Sequence, residues 1–408
     1  MAEWSQLPRE LIDLISKHLL TEIDFLRFRS VCSSWRSSVP PKPYLSSPSR
    51  FPILPNDGIS ITENSWGFKL SKSPLYLLHS PNLTTSSNNN NHGWIIKLDR
   101  ENLLNPLSRS QFKPLPSNFP KILDSSKYPI LELCQEYTLQ FIKYRPMANS
   151  IADAGNLYME KVAVRLEKDG FVLLTIHVSG KLVMYRSGDI KWEIVDELSL
   201  PYDDVIMKDG NFYAVDNTGK GVLVKLSCGE TPELEVVANS VFGGDKKFLM
   251  ESCGDLLMVD KYLSIGPEDD LGYNENVEFY EEFDSYMSER TVKFKVYKLD
   301  GDMQRWVEVT KLEDRMLFVG DNCTFSVLVS ELDSRCKGNC ILFADQNFCS
   351  TEDSGGLWKN HGIGVFSLEN GSIGPVSSFQ GYAELFWPPP PWICSPQPID
   401  AELNELKI

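Results

Sequence analysis

The chain has 408 residues, of which 42% are hydrophobic and 11% aromatic, and this apolar content excludes a largely disordered protein. Its formal net charge of -16 at pH 7 excludes a nucleic-acid backbone as the main ligand, because phosphate binding needs a dense surface of Lys and Arg. Neither an apolar stretch of about 18 residues nor a secretion signal is visible, so the sequence predicts a soluble intracellular protein of the nucleus or cytoplasm, without a membrane segment.

The first predicted element is an amphipathic helix that begins after Pro8, where the missing N–H of proline costs nothing. Its apolar residues recur at helical spacing: Leu7, Leu11, Leu14, Ile15 and Leu19. A second helix follows, with Thr21 or Asp24 as its N-cap. Its apolar residues have the same spacing: Phe28, Val31, Cys32 and Trp35. Two helices in about 30 residues cannot bury both stripes by themselves, so we expect them to contact another surface.

A Pro- and Ser-rich stretch, residues 39–55, follows the helices and is typical of a semi-rigid connector. Beyond it, short apolar or alternating runs separated by Gly, Asp and Asn turns indicate β-strands as far as residue 393. The sequence thus divides into a helical module (1–40), a linker (41–50), a large β domain (51–395) and a polar C-terminal tail (396–408).

The β domain contains an internal repeat. Residues 210–216 match residues 254–260 in pattern at an offset of 44 residues, and a looser copy begins at Gly170. Residues 191–195 and 305–309 also look like equivalent strands of different repeats. Repeats of about 40 to 50 residues with several strands each are typical of β-propeller blades. We therefore predict an all-β propeller of about seven blades behind a small all-α module.

One segment departs from this repeat. Residues 262–289 contain nine acidic residues and no Lys or Arg. Such a segment is expected to be a solvated insertion between strands, although a basic surface on a partner is the alternative that its charge allows.

The helical module resembles an F-box over about 40 residues. The resemblance is carried by Leu7-Pro8-Arg9-Glu10-Leu11, then Ile15, Leu19 and Asp24, and finally residues 29–36. F-box helices bind a Skp-type adaptor, which links them to a cullin and a ubiquitin-conjugating enzyme. The resemblance implies that Leu7 and Pro8 form an entry loop against the adaptor and that Trp35 is an aromatic anchor. It also implies an apolar adaptor-binding seam of four residues: Leu11, Ile15, Val31 and Cys32.

The β domain resembles the KIB-type β-propeller of plant F-box proteins. The segments that carry this likeness are residues 103–109, 296–300, 306–309, 320–323, 336–341, 364–368 and 387–393. The resemblance implies a substrate-recognition subunit of a Skp-cullin-F-box ubiquitin ligase, with a propeller that binds an unknown target protein. The alternative is a non-ligase propeller scaffold or ligand-binding protein whose N-terminal helices only cap the domain.

No motif predicts catalysis, a cofactor or a metal site. Cys336 and Cys340 lie close in sequence, but no second Cys/His pair at matching spacing follows and His361 stands alone. Reduced core thiols are therefore the favoured interpretation of these cysteines. A propeller can hold a glycosidase-type carboxylate pair, but the separation of two carboxylates cannot be derived from the sequence. We expect a receptor without enzymatic activity.

Overall fold

A computed structural model of the chain describes residues 4–19, 21–39, 67–80, 93–99, 102–108, 118–120, 128–142, 161–167, 170–177, 180–189, 192–196, 200–226, 232–267, 287–332, 335–348 and 362–394. These residues form an N-terminal helical module and a β-propeller. The predicted linker (41–50) and C-terminal tail (396–408) lie outside the described residues.

Within the described residues, the module has three α-helices rather than the two predicted. Helix α1 (Arg9–Ser16) begins directly after Pro8, as predicted. Thr21 caps α2 (Glu22–Ser30), because its Oγ1 accepts a hydrogen bond from the backbone N–H of Asp24 at 3.1 Å. The predicted second helix was wrong in extending to Trp35, which lies instead on a separate helix, α3 (Ser33–Ser38).

The break between α2 and α3 has a packing reason. Cys32 is extended, with φ -161° and ψ 173°, so the chain turns back on itself. On one continuous helix, Phe28 and Trp35 would be about 10 Å apart along the axis. After the turn their ring centroids are 4.4 Å apart.

In the part of the chain that the structure describes, five sheets follow the module, and each is one blade of the propeller. Blade 1 comprises β1 (Gly67–His79), β2 (Gly93–Asp99), β3 (Asn102–Leu104) and β4 (Ile130–Ile142); blade 2 comprises β5 (Val162–Glu167), β6 (Gly170–Ile176), β7 (Leu182–Arg186) and β8 (Glu193–Asp196). Blade 3 comprises β9 (Tyr202–Lys208), β10 (Asn211–Asp216), β11 (Gly221–Lys225) and β12 (Glu233–Ala238).

Blade 4 comprises β13 (Lys246–Ser252), β14 (Asp255–Pro267), β15 (Met287–Asp300) and β16 (Arg305–Glu308). Blade 5 comprises β17 (Arg315–Val319), β18 (Thr324–Leu328), β19 (Cys340–Ala344), β20 (Ile363–Ser367) and β21 (Ile373–Pro375). A last helix, α4 (Pro391–Cys394), follows. The strands within the sheets pair antiparallel except β17 and β19, which are parallel.

The innermost strands of the five blades contact one another in a closed ring, in the order β4, β5, β9, β13 and β18. The prediction of about seven blades was therefore wrong for the described part of the chain. The five sheets span residues 67–375, so each blade uses about 60 residues rather than the 40 to 50 that the repeat suggested. Part of the excess lies in long strands, since β1, β4 and β14 have 13 residues each and β15 has 14.

The internal repeat marks the same strand in successive blades. Its three copies are β6, β10 and β14, the second strand from the centre in blades 2, 3 and 4. The tight turns Asp209-Gly210 and Cys253-Gly254 precede the last two copies, and all four residues have positive φ. Two-residue hairpin turns need this left-handed conformation, which explains the glycine at each position. The Trp192 and Trp306 segments are likewise equivalent, since each forms the outermost strand of its blade.

The core consists of five apolar clusters, one at each interface between neighbouring blades. The interface between blades 1 and 5 also receives the C-terminal segment, where the Trp94 Nε1 donates a hydrogen bond to the Phe386 carbonyl at 2.9 Å. Each sheet is covered on both faces by its neighbours, so its strands are apolar on both sides. Residues 262–267 and 287–289, which the sequence placed in an acidic insertion, are instead paired strand, and 268–286 lie outside the described residues.

Candidate functional site

The helical module has a small core of its own. Ile12 on α1 is fully buried, and it packs in one cluster with Phe25, Phe28, Trp35 and Val39. Leu7, Leu19 and Cys32 are half-buried against this cluster. The Trp35 Nε1 donates a hydrogen bond to the Trp4 carbonyl at 3.0 Å, so the polar edge of the indole is satisfied inside the module.

The other side of α1 is apolar and uncovered. Leu11, Leu14 and Ile15 are 45%, 52% and 38% exposed, and their spacing places them on one face of the helix, here called the α1 face. Val31, at the end of α2, is 55% exposed, and Trp4 is 64% exposed. Contiguous apolar residues on a surface are characteristic of protein–protein contact sites. The α1 face is therefore a candidate binding surface.

The seven residues predicted to bind an adaptor separate into two groups. Leu11, Ile15 and Val31 are exposed, and so is Pro8, which directly precedes α1. Leu7 and Cys32 contact the internal cluster instead, and Trp35 is a member of it. The free module therefore uses Trp35 as a core residue, and a direct contact between Trp35 and an adaptor stays a prediction.

Sequence reasoning did not single out Ile12 or Leu14 as functional positions. Residues at helical spacing show which face of a helix is apolar, but not which face is buried. The side chains of neighbouring residues point in directions about 100° apart around the helix axis. The presence of a second apolar residue, Ile12, beside Leu11 was the available signal that α1 is apolar on two sides.

Helix α2 also contacts the propeller. The Arg27 guanidinium donates from Nη2 to the Ile130 carbonyl on β4 at 3.0 Å, and it pairs with Asp24 at 3.2 Å. The backbone N–H of Ile23 donates to a Glu132 carboxylate oxygen at 3.3 Å. The module is thereby placed beside the innermost strand of blade 1.

The ring of innermost strands encloses a central channel with a volume of about 1200 Å³. Lys161, directly before β5, crosses one end of this channel. Its Nζ donates to Asp204 Oδ2 at 2.9 Å, to the Leu249 carbonyl at 3.0 Å and to Thr324 Oγ1 at 2.8 Å. One ammonium group thus connects blades 2, 3, 4 and 5, and the buried Asp204 carboxylate compensates its charge.

The opposite end of the channel is bordered by exposed residues. Leu166 and Met207, near the ends of β5 and β9, are 41% and 38% exposed, and Leu26 of α2 lies beside the same space. Arg165 and Lys208 add positive charge, but acidic neighbours pair with both. This end is a second candidate binding surface, next to the helical module.

Other ionisable groups are buried within the blades. Lys97 pairs with Glu136 in blade 1, and Lys247 pairs with Asp260 in blade 4 at 3.2 Å, with both members of each pair almost inaccessible. Burial raises the pKa of Asp260, while the neighbouring Lys247 opposes this rise. Burial likewise raises the pKa of Asp203 to about 6, although its carboxylate accepts a hydrogen bond from the Lys247 backbone at 2.9 Å.

Cys336 and Cys340 are both buried thiols. Burial raises the pKa of Cys340 to about 12. Among the described residues, no group of three or more His, Cys, Asp or Glu side chains could hold a metal ion, and His361 lies outside those residues. No helix in the described ranges is long and apolar enough to cross a membrane.

Comparison with known proteins adds the family. A family model described as KIB1-4 beta-propeller matches residues 67–367. The F-box protein SKIP23 of Arabidopsis thaliana is 43% identical over 421 aligned residues, which cover 99% of both chains. F-box protein At2g17036 of the same plant is 38% identical over 411 residues, covering 96% of this chain and 95% of the relative. The chain therefore belongs to the KIB1-4 β-propeller family, and these relatives are plant F-box proteins.

Proposed function

We propose that this protein is the substrate-recognition subunit of a Skp-cullin-F-box ubiquitin ligase. The helical module binds a Skp-type adaptor, and through it a cullin, while the propeller binds a target protein. The receptor catalyses nothing itself. It acts by raising the effective concentration of the target near the transferring enzyme, and this work takes place in the nucleus or cytoplasm.

The observation that carries this proposal is the exposed α1 face over a complete internal core. Ile12, Phe25 and Phe28 already bury the inner side of the module. Within the described residues, Leu11, Leu14 and Ile15 are not part of this cluster and remain exposed. An apolar helix face of this kind is suited to bind a helical partner. The names of the relatives support the same assignment.

The channel end beside α2 is the proposed target-binding surface. It combines a concave space with the exposed side chains of Leu166 and Met207. Concave surfaces with a few apolar anchors favour binding, because they bury an inserted side chain on several sides. The class of target is left open by this geometry.

One alternative has an observation of its own. The contacts of Arg27 and Ile23 with β4 would also be expected of helices that only cap a scaffold propeller. Capping uses the α2 side of the module, however, and does not explain why the apolar α1 face is exposed. A scaffold would not bind a Skp-type adaptor, so adaptor binding separates the two functions.

The test is a binding measurement with the full-length chain and a purified Skp-type adaptor. Leu11→Glu combined with Ile15→Glu places two charges on the α1 face and should weaken binding by roughly tenfold or more. The matched control is Phe242→Glu, which changes an 80% exposed aromatic residue outside the module and should leave binding unchanged. Equal adaptor affinity of the folded double variant and the parent, or no binding by the parent, would overturn the proposal.

A further inference from the structure

One face of helix α2 is turned towards the propeller. The Ile23 N–H donates to a Glu132 carboxylate oxygen at 3.3 Å. The Arg27 guanidinium donates to the Ile130 carbonyl at 3.0 Å, and both acceptors lie at the start of β4. Leu26, between the two donors in the sequence, lines the central channel. Positions 23, 26 and 27 share one side of a helix, so this side of α2 meets blade 1.

The bond from Ile23 completes the N-terminus of α2. The first backbone N–H groups of a helix have no acceptor within the helix and need one from elsewhere. Thr21 supplies it for Asp24 at 3.1 Å, from within the module. Glu132 supplies it for Ile23 from the propeller, and a carboxylate is favoured there because the N-terminal end of a helix carries partial positive charge. The propeller thus provides one cap of a module helix.

Neighbouring side chains hold both anchors in place. Arg27 Nη1 pairs with Asp24 Oδ1 at 3.2 Å, which leaves Nη2 for the carbonyl on β4. On β4, Gln135 donates to the other oxygen of Glu132, and the Tyr137 hydroxyl donates to Gln135 at 2.7 Å. Side chains that are already oriented lose less rotamer entropy when they make a contact. The two anchors are therefore organised for binding between α2 and β4.

The apolar core of the module stays separate from the propeller. Among the described residues, the cluster around Ile12 and Phe28 contains none from the propeller. Two parts of a chain that are joined by a linker move relative to each other unless a large apolar interface holds them. The polar anchors oppose this motion, and the linker assists them because it keeps α2 at a high effective concentration near β4.

We propose that Glu132 and Arg27 are positioning residues that hold the helical module in one fixed orientation on the propeller. The α1 face remains exposed while α2 is bound to β4. The α1 face and the channel end beside Leu26 therefore keep a constant distance from each other. For an adaptor on the α1 face and a target at the channel end, a consequence that rests on the proposed function, this contact fixes the arrangement in which ubiquitin is transferred.

The test measures amide hydrogen exchange at residue resolution in the full-length protein. In Glu132→Ala the Ile23 amide loses its acceptor and should exchange roughly fivefold faster or more, which corresponds to one hydrogen bond. The Asp24 amide, capped within the module, should keep its rate. Glu132→Gln retains an acceptor oxygen and should keep most of the protection. The matched control is Asp13→Ala, which removes an exposed ion pair with Lys17 on α1 and should leave the Ile23 amide unchanged.

Small-angle X-ray scattering of the full-length protein measures the orientation. Glu132→Ala combined with Arg27→Ala should increase the radius of gyration, because the released module moves away from β4 on its linker. Adaptor affinity, measured in parallel, should be unchanged in this double variant, since the α1 face is not altered. A parent protein that binds no adaptor would count against the proposed function, whereas the exchange and scattering results decide the positioning role.

Three results would overturn the proposal. The first is equal exchange of the Ile23 amide in Glu132→Ala and the parent. The second is faster exchange of both the Ile23 and Asp24 amides, because Glu132 would then support the fold of α2 rather than its orientation. The third is a radius of gyration that does not change in the double variant.

Discussion

The helical module and the propeller bury their apolar residues in different ways. Every blade has two neighbours, and the five clusters between blades cover both faces of each sheet. The module has a single cluster around Ile12 and Phe28, and its α1 face stays uncovered. The closed ring therefore needs no partner to complete its core, whereas the module has apolar surface that a partner can cover. This difference predicts that core changes act on stability and that α1-face changes act on binding.

The largest effect is expected where the propeller buries charge. Replacing Lys247 by Met leaves the inaccessible Asp260 carboxylate without its cation, and this should lower the free energy of unfolding by about 3–5 kcal/mol. Chemical denaturation of the full-length protein measures the change. The control is Lys247→Met together with Asp260→Leu, which removes both charges and should recover much of the loss. A single variant as stable as the parent would show that the ion pair does not contribute.

The next effect distinguishes core packing by Trp35 from a direct contact between Trp35 and the adaptor. Because Trp35 is a core residue, Trp35→Ala should lower the free energy of unfolding of the module by about 3 kcal/mol. The helices then pack less tightly, so adaptor binding should weaken by on the order of 2 kcal/mol or more. Trp35→Phe keeps most of the buried ring and should retain both properties.

Circular dichroism and adaptor affinity, measured together, separate these roles. Loss of affinity in a Trp35→Ala protein whose module remains fully helical would show that Trp35 contacts the adaptor directly. The comparison variant is Leu14→Ala, a change on the exposed α1 face, which should leave stability nearly unchanged.

A smaller effect depends on pH. Burial raises the pKa of Asp203 in the folded protein to about 6, above its ordinary value, so the folded state binds the proton more tightly than the unfolded state. The stability contributed by this difference is present below the unfolded pKa and is lost as the pH rises through 6. Asp203→Asn should therefore stabilise the propeller at pH 7.5 by about 1 kcal/mol, after allowance for solvent screening, and by much less at pH 4.5. An equal effect at both pH values in thermal unfolding would contradict this assignment.

The smallest effect concerns the acidic segment. Since β14 and β15 pair as far as Pro267 and Met287, replacing residues 268–286 by an Asn-Gly turn keeps the whole described hairpin. We expect the melting temperature and target capture to stay nearly unchanged, because shortening a loop changes its closure entropy only slightly. A lower association rate with the target, together with a weaker dependence on salt, would instead show that these acidic residues attract a basic partner.

Local patterns in the sequence predicted the parts of the fold that depend on near neighbours. Pro8 and Thr21 marked the starts of α1 and α2, because capping involves only the next few residues. The spacing of Gly210 and Gly254 identified equivalent strands, because a two-residue turn imposes its own backbone conformation. The β-rich class and the F-box resemblance followed from such signals.

Contacts between distant residues decided the rest. The number of blades depends on how many sheets close the ring, and long strands such as β15 made the repeat a poor measure of it. Trp35 became a core residue because the turn at Cys32 brings it onto Phe28, which helical spacing alone does not reveal. The Lys161 ammonium group contacts Asp204, Leu249 and Thr324, which lie 43, 88 and 163 residues further along the chain. Sequence periodicity reports which residues are apolar or charged, but only the assembled blades determine which of them meet.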